Sequence, residues 1–407
     1  EIKINYVDFQ KDVHHEELIN NFHFYHNPNP VNSIFSLRLE WGIGNYENNK
    51  LSYAAGLGGM IGSENYSFNE LKEKLQKIGA TLDFFNTGNY TGMNIKGFDS
   101  YFNETMAITG DFLRTMKVRK EDEKKLKKLI QGSIIERKFE SRESSAKGNA
   151  LKEYAIWGES SDFLTRATVK EVKKMNSKVL MDQIEDAMAV ETSVFYVGNI
   201  DKETVKKSVQ DNLIINQTLR NSNSPFTWEK KLNKENTVFF YNDKKAVQSQ
   251  IYIIVDGEVM NLDDRHRSNI FNKYFGGSMS GLVFQEIREF RSLAYSARGT
   301  YRRPYYFDKT GRFEGFIGTQ ADKTIEAIGT YINILTDMPE KINRIDGIKS
   351  GLIESLSSSK PSFRSMSLSV RGWQKQGYET DPRKTKKDVY DRASFDDIKK
   401  FYDRYIK

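Results

Sequence analysis

Arg288 and Tyr295 stand seven residues apart, where a helix-like segment gives way to a strand-like one. A short turn between the two segments can bring both side chains to the same edge. Together, a guanidinium and a phenol can donate hydrogen bonds to a peptide carbonyl and to the oxyanion that develops on it during hydrolysis. On spacing alone, a simpler interpretation is a surface arginine paired with Glu286 or Glu289 beside a tyrosine that only packs. The helix would turn an apolar face inward, made of Met279, Leu282, Val283 and Ile287.

The composition excludes several other kinds of site. The 407 residues include no cysteine, which rules out disulfides, thiolate nucleophiles and Cys-ligated zinc. The net charge of +7 is a mild excess of 62 basic over 55 acidic residues. Since no compact basic block is interleaved with aromatic residues, we predict no nucleic-acid binding. No apolar run is long enough to span a bilayer.

The same composition gives a weak expectation about location. Absence of cysteine is typical of a compartment where thiols are at risk, so we expect a periplasmic or cell-envelope protein, with the cytoplasm as the alternative. The sequence begins with Glu1 rather than Met, so we expect a processed or truncated piece whose signal peptide, if any, lay upstream.

The elements that must position these side chains follow from local patterns. Residues 33–42 alternate apolar and polar side chains, as a half-buried strand does. Ser67 and Glu70 form a capping box that opens a helix ending at Gly79. Further elements predicted in the first half are a short helix from Asn49 to about Met60, strands at 81–86 and 90–98, a charged helix at 120–138 and a buried strand at 193–197.

The order of elements then starts again. Residues 248–257 repeat the strand pattern of 33–42, and Gly276-Gly277 follows the next helix as Gly58-Gly59 does in the first half. A helix from Asp322 is predicted to bury Ile325, Ile328, Ile332 and Leu335, and Ser394 with Asp397 caps a terminal helix.

We therefore predict an α+β chain with an internal duplication. The first α/β unit would comprise residues 1–215, a linker 216–236, and the second unit 237–407. Each unit would be a mostly antiparallel sheet with helices packed on one face.

The segment from Tyr274 to Tyr295 resembles the C-terminal signature of the pitrilysin/insulinase family of zinc metallopeptidases. Weaker similarities lie at 197–201 and 318–323. The resemblance implies a metallohydrolase-type fold in which two halves close around a peptide, and zinc belongs to one half only. In this chain it implies catalytic roles for Arg288 and Tyr295, which would orient the substrate and stabilise the tetrahedral intermediate. Substrate-cleft candidates beside them are Gly276, Gly277 and Ser278.

The family's inverted zinc motif, His-x-x-Glu-His, is degenerate here. Tyr53 and Leu57 occupy the two histidine positions, and Gly56 occupies that of the general base. Leucine cannot ligate a metal, and glycine cannot accept a proton. Glu136 is the nearest candidate for the third ligand, although a solvated helix residue is the simpler interpretation. We therefore expect no metal or cofactor in this chain, and zinc in the partner half.

The five histidines are the remaining candidates for a metal. His14 and His15 lie in a polar N-terminal arm without ligand spacing, and His23 and His26 would face opposite sides of a strand. His266 lies at a charged helix start. Ordinary surface or capping roles are predicted for all five. A free-standing enzyme built on these histidines would instead require tight metal binding by this chain alone.

Two functions remain open from the sequence. The first is the C-terminal half or non-zinc subunit of a pitrilysin-type zinc endopeptidase, with a zinc-bearing N-terminal half or subunit and a peptide as its partners. Peptide hydrolysis would belong to that assembly and is uncertain for this chain alone. The second is a non-catalytic binding or assembly homologue. The retained Arg288 and Tyr295 favour the first, because a purely structural subunit has no need of them.

Overall fold

The computed structural model describes residues 3–141, 143–231, 233, 235–244, 246–276, 280–289 and 294–407. In the first half of the chain, six strands form one sheet in the order β1-β2-β8-β3-β6-β5. Neighbouring strands are antiparallel except β2 and β8, which are parallel. The strands, with a separate two-residue pair formed by β4 and β7, are β1 (His14–Ile19), β2 (Phe22–Pro28), β3 (Ile34–Trp41), β4 (Gly62–Ser63), β5 (Thr81–Asn86), β6 (Thr91–Phe98), β7 (Met116–Lys117) and β8 (Thr192–Gly198).

Helices cover one face of this sheet. Alternation places Phe35, Leu37 and Leu39 of β3 on that face, at most 1% exposed, in contact with a single helical layer. The helices of this half are α1 (Leu51–Gly58), α2 (Phe68–Lys77), α3 (Phe102–Thr115), α4 (Lys120–Glu140), α5 (Ser144–Trp157), α6 (Asp162–Thr165), α7 (Val169–Lys174), α8 (Ser177–Met188) and α9 (Lys202–Leu213).

The second half has a smaller antiparallel sheet, in the order β10-β11-β9, with its own apolar core. A π-helical turn, Phe284–Glu289, precedes β10. The strands and helices of this half are β9 (Gln248–Val259), α10 (Leu262–Phe275), β10 (Ser296–Arg302), β11 (Thr310–Gln320), α11 (Thr324–Thr336), α12 (Ile345–Ser358), α13 (Met366–Lys375), α14 (Pro382–Arg392) and α15 (Phe395–Tyr405).

Three strands of each sheet share one topology. In the first sheet β6 lies between β3 and β5, and in the second β11 lies between β9 and β10, with every pair antiparallel. In both halves the middle strand is the third in sequence. The predicted fold class is confirmed, and this shared order is compatible with the predicted duplication. The unit boundaries at 215 and 237 stay a prediction.

The two halves contact each other across the face of the first sheet that the helical layer leaves free. Helix α13 packs there, with Met366 and Val370 against Tyr25 and Phe195. Arg371 of α13 donates to Glu40 of β3 at 2.6 Å, and both side chains are at least 90% buried. A buried ion pair between distant parts of the chain fixes their relative position, since either charge left alone would be costly.

Most local predictions are confirmed. The Ser67–Glu70 and Ser394–Asp397 capping boxes are present, and Gly79 ends α2 with φ +64°. The predicted face of α11 is wrong. Ile325 and Ile332 are 80% and 41% exposed, whereas the helix buries Ala327, Tyr331, Ile334 and Leu335. The Tyr331 hydroxyl donates to the carbonyl of Arg298, and this contact with β10 sets the rotation of the helix.

Candidate functional site

The π-helical turn and the start of β10 bring Arg288 and Tyr295 together. The guanidinium carbon of Arg288 lies 5.5 Å from the centroid of the Tyr295 ring and 4.7 Å from that of Phe284. Tyr295 is 80% exposed. Arg288 also lies 3.6 Å from the carboxylate of Glu289, the ion pair that the simpler interpretation predicts. Both contacts leave the guanidinium partly exposed and able to donate to a further group.

Buried side chains beneath Arg288 and Tyr295 fix the position of the pair. Leu282, Val283 and Ile287 are fully buried, as the apolar pattern predicts, so Arg288 lies on the outer side of the turn. Met279 lies outside the described residues. The backbone N–H of Tyr295 donates to the carbonyl of Gly318 at 3.1 Å, which places this residue directly beside β11. π-Helical turns of this kind occur frequently at functional sites.

Arg344 holds the segment that leads into the turn. Its guanidinium donates to the carbonyl of Ser280 at 3.0 Å and contacts the side-chain oxygen of Gln285. The sequence analysis did not find this residue. No local pattern could have indicated it, because it lies 59 residues beyond Gln285 and meets it only in the fold.

The predicted substrate-cleft glycines fall partly outside the described residues. Gly277 and Ser278 are not described. Gly276 ends α10 against the backbone of β10, where a Cβ would lie 2.5 Å from the amide nitrogen of Gly299. Gly276 therefore permits a close helix–strand contact. A role in binding substrate stays a prediction for all three.

The residues predicted to stand at the zinc-motif positions lie on α1. Leu57 is fully buried in the core, and Tyr53 is 8% exposed. A Cβ on Gly56 would lie 3.1 Å from Leu129 of α4, so an apolar side chain from another helix approaches the position of the base. Tyr53 borders a cavity of about 640 Å³ that Glu136 also lines.

Four of the five histidines meet in the β1–β2 hairpin, where sequence spacing alone did not place them. His14 is the cross-strand partner of His26 on one face, and on the other the rings of His15 and His23 approach to 3.3 Å between nitrogens. The predicted opposite orientation of His23 and His26 agrees with this. The predicted polar arm is wrong, since His14 and His15 belong to a strand of the sheet. Burial lowers the pKa of His15 and His23.

The prediction of a surface or capping role is wrong for His266. It is 0% exposed inside α10, and one ring nitrogen lies 3.0 Å from the hydroxyl of Thr385. Burial lowers its pKa to about 3, so the ring is neutral at physiological pH. Within the described ranges, no three His, Asp or Glu side chains converge as a metal site would require.

Comparison with known proteins gives one consistent result. Residues 190–342, which include Arg288 and Tyr295, match the family described as the peptidase M16 inactive domain. An uncharacterized zinc protease of Rickettsia bellii is 26% identical over 148 residues, which cover 36% of this chain and 34% of that protein.

Two solved structures share the fold along almost the whole chain. The peptidase M16 inactive domain of Pseudomonas fluorescens superposes with a TM-score of 0.70 at 10% identity, covering 97% of this chain and 95% of that one. The periplasmic protease PqqL of Escherichia coli superposes with a TM-score of 0.73 at 11% identity, covering 99% of this chain and 45% of that one.

Residues 190–342 therefore resemble the inactive domain of M16, or pitrilysin, peptidases, and the whole chain shares the fold of such a domain. The predicted resemblance is confirmed. The sequence contains no His-x-x-Glu-His zinc motif. It spans 34% of the curated relative and 45% of PqqL, so it matches only a part of those longer proteins. Among the described helices, none is long and apolar enough to cross a membrane.

Proposed function

We propose that this chain is the non-zinc half of a pitrilysin-type zinc endopeptidase and completes a peptide-cleavage site that lies on a zinc-bearing partner half. The observation that carries the proposal is the convergence of Arg288 and Tyr295 above a buried support. The guanidinium carbon of Arg288 lies 5.5 Å from the centroid of the Tyr295 ring. The likeness of residues 190–342 to the M16 inactive domain suggests the reaction, which is peptide hydrolysis.

The two side chains would have distinct roles. A guanidinium is always charged and presents several donors, so Arg288 suits the carbonyl groups of a bound peptide. The phenol of Tyr295 suits the oxygen that becomes negative in the tetrahedral intermediate, where a fixed donor stabilises the transition state more than the ground state. Because Arg288 also pairs with Glu289, substrate binding would exchange that ion pair for a contact with the peptide.

The cellular location is inferred from the likeness to PqqL. PqqL is described as a periplasmic protease, and we infer a periplasmic or cell-envelope location for this chain as well. Absence of cysteine supports the same location.

Reconstitution tests the catalytic role. The purified chain is mixed with a zinc-bearing half from the same organism, and cleavage of a quenched fluorescent peptide is measured. We expect Arg288→Ala and Tyr295→Phe each to lower kcat by about 10²- to 10³-fold, the usual loss when one oxyanion donor is removed. Arg298→Ala is the matched control, because Arg298 lies over the Phe316 ring in the same strand region.

Cleavage that stays within twofold of wild type in both variants would overturn the catalytic assignment. Binding of the two halves without any cleavage by the wild-type pair would instead support the non-catalytic assembly homologue. Metal analysis of the isolated chain gives a separate check, since one zinc per chain after dialysis would contradict the assignment of zinc to the partner.

A further inference from the structure

The cavity beside Tyr53 has the properties of a second binding site. It lies between α4, α5 and α6, with Tyr53 of α1 among its lining residues, and encloses about 640 Å³. Cavities of several hundred cubic ångströms are the size that small ligands and single side chains occupy in proteins. Arg288 and Tyr295 do not line it, so the proposed cleavage role leaves it without a function.

Unpaired carboxylates give the cavity an acidic lining. Glu136, Glu140 and Glu143 border it, and within the described ranges only Glu140 forms an ion pair, with Arg166 at 2.8 Å. Glu136 and Glu143 have no ion-pair partner among the described residues. Arg137 also lines the cavity, so three carboxylates stand against two guanidinium groups. This excess of acid contrasts with a chain whose net charge is +7.

Aromatic and aliphatic side chains surround these charges. Phe139 and Phe163 line the cavity together with Tyr53. Phe139 is 66% exposed, Ile135 one helical turn earlier is 68% exposed, and Leu164 next to Phe163 is 52% exposed. Large apolar side chains exposed together are unusual on a surface that only meets water, and they frequently mark a contact with a ligand or partner.

We propose that this cavity binds a cationic side chain, arginine or lysine, of an extended peptide whose neighbouring residues are apolar. The carboxylates of Glu136 and Glu143 would accept charge-assisted hydrogen bonds from the guanidinium or ammonium group. The face of Phe139 would contact the same cation or its alkyl stem, whereas the Phe163 ring already lies 4.7 Å from the guanidinium carbon of Arg166. The exposed Ile135 and Leu164 would contact the flanking apolar residues of the peptide.

The predicted zinc-motif positions show where in the fold this cavity lies. Tyr53 stands at the first histidine position of the motif, and Glu136 is the nearest candidate for the third ligand. On that predicted register, the cavity would correspond to the metal region of the motif, since both residues line it. Here the same region would hold a peptide without cleaving it. That the ligand is a peptide rests on the proposed function, whereas its charge follows from the lining residues alone.

Fluorescence anisotropy of the full chain tests the proposal. The probes are two fluorescein-labelled nonapeptides of leucine, glycine and serine, one with a central arginine and one with a central glutamate. We expect the arginine peptide to bind at least about tenfold more tightly, equivalent to roughly 1.4 kcal/mol. The variant Glu136→Gln/Glu143→Gln should remove most of that preference, because it keeps the shape of both side chains and removes their charge.

Control variants separate the cavity from the general charge of the surface. Glu104→Gln/Glu121→Gln removes two carboxylates that do not line the cavity, and it should bind both peptides as wild type does. Phe139→Ala should weaken binding of the arginine peptide about threefold to tenfold through loss of ring contact. Phe139 is largely exposed, so this substitution leaves the core intact.

Equal affinity for the two peptides, absence of binding by either, or wild-type affinity in the Glu136→Gln/Glu143→Gln variant would each overturn the proposal. Arg288→Ala and Tyr295→Phe should leave the preference for arginine over glutamate unchanged, because neither residue lines the cavity. A failure here therefore leaves the cleavage role intact, and a failure of the reconstitution experiment leaves the charge preference of the cavity intact.

Discussion

At the scale of single residues, Arg288 and Tyr295 differ in their surroundings from the predicted zinc-motif positions. Arg288 and Tyr295 are exposed donors on a buried support, whereas Tyr53 and Leu57 are buried and Gly56 has no side chain. Leu57 faces the core and does not line the cavity, although Tyr53 four residues earlier does. Restoring the motif therefore means placing polar groups where the fold packs apolar ones.

A restored motif is consequently expected to fail. The variant Tyr53→His/Gly56→Glu/Leu57→His should hold no stoichiometric zinc after dialysis, as measured by metal analysis. It should also lose about 2–5 kcal/mol of unfolding free energy, because Leu57→His places an imidazole in a packed core and Gly56→Glu meets Leu129. Tyr53→Phe alone should change stability little. One tightly bound zinc per chain in the triple variant would contradict this expectation.

At the scale of elements, the contact between α10 and β10 joins the two elements that flank, in sequence, the turn carrying Arg288. Gly276 closes the helix directly against the Gly299 backbone, and two backbones approach only where no Cβ intervenes. Each of the three antiparallel strands behind this contact has a counterpart in the first half, so the same framework carries the degenerate motif in one half and Arg288 in the other.

Two glycines provide a matched test of this contact. Gly276→Ala should lower the unfolding free energy by about 1–3 kcal/mol, because its Cβ would overlap backbone atoms that cannot move away cheaply. Gly329→Ala in the interior of α11 meets no atom within 4 Å and should raise stability by about 0.5–1 kcal/mol. Urea unfolding measures both. A neutral Gly276→Ala would show that the close approach is not needed.

At the scale of the whole molecule, the two halves are held by contacts that cross between them. Helix α13 brings Arg371 to Glu40 of the first sheet, and the backbone N–H of Val7 donates to Asp381, which is itself paired with Arg383. The N-terminal segment and α13 thus each pack on the opposite half. We expect the halves to unfold together, since removal of the first half would leave the buried Arg371 without Glu40.

Acid should destabilise the molecule through its buried histidines. Burial lowers the pKa of His266 to about 3, so below the unfolded value near 6.5 the unfolded state takes up a proton that the native state does not. Unfolding free energy should therefore fall as the pH drops from about 6.5 towards 3, by at most about 1.4 kcal/mol per pH unit for this group.

Thermal melting as a function of pH measures this dependence. His266→Gln should flatten it, because the amide does not titrate and can still contact Thr385. Lowered pKa values of His15, His23 and His26 act in the same direction, so a residual slope is expected in the variant. An unchanged slope in His266→Gln would show that His266 does not titrate as its burial requires.

The sequence by itself determined what depends on neighbouring residues. The capping boxes, the alternation in β3 and the apolar face beneath Arg288 are local patterns, and the structure contains them where they were predicted. The degenerate zinc motif is equally local, because three residue types suffice to exclude metal ligation. The short connection between Arg288 and Tyr295 explains why their proximity could be predicted as well.

Only the tertiary structure decided what depends on distant residues. The meeting of four histidines required the pairing of β1 with β2, the burial of His266 required α14 to pack on α10, and the rotation of α11 required Tyr331 to reach β10. The cavity beside Tyr53 likewise exists only where four helices meet. Periodicity indicates that a helix has an apolar face, but the partner that covers it is chosen by packing across the whole chain.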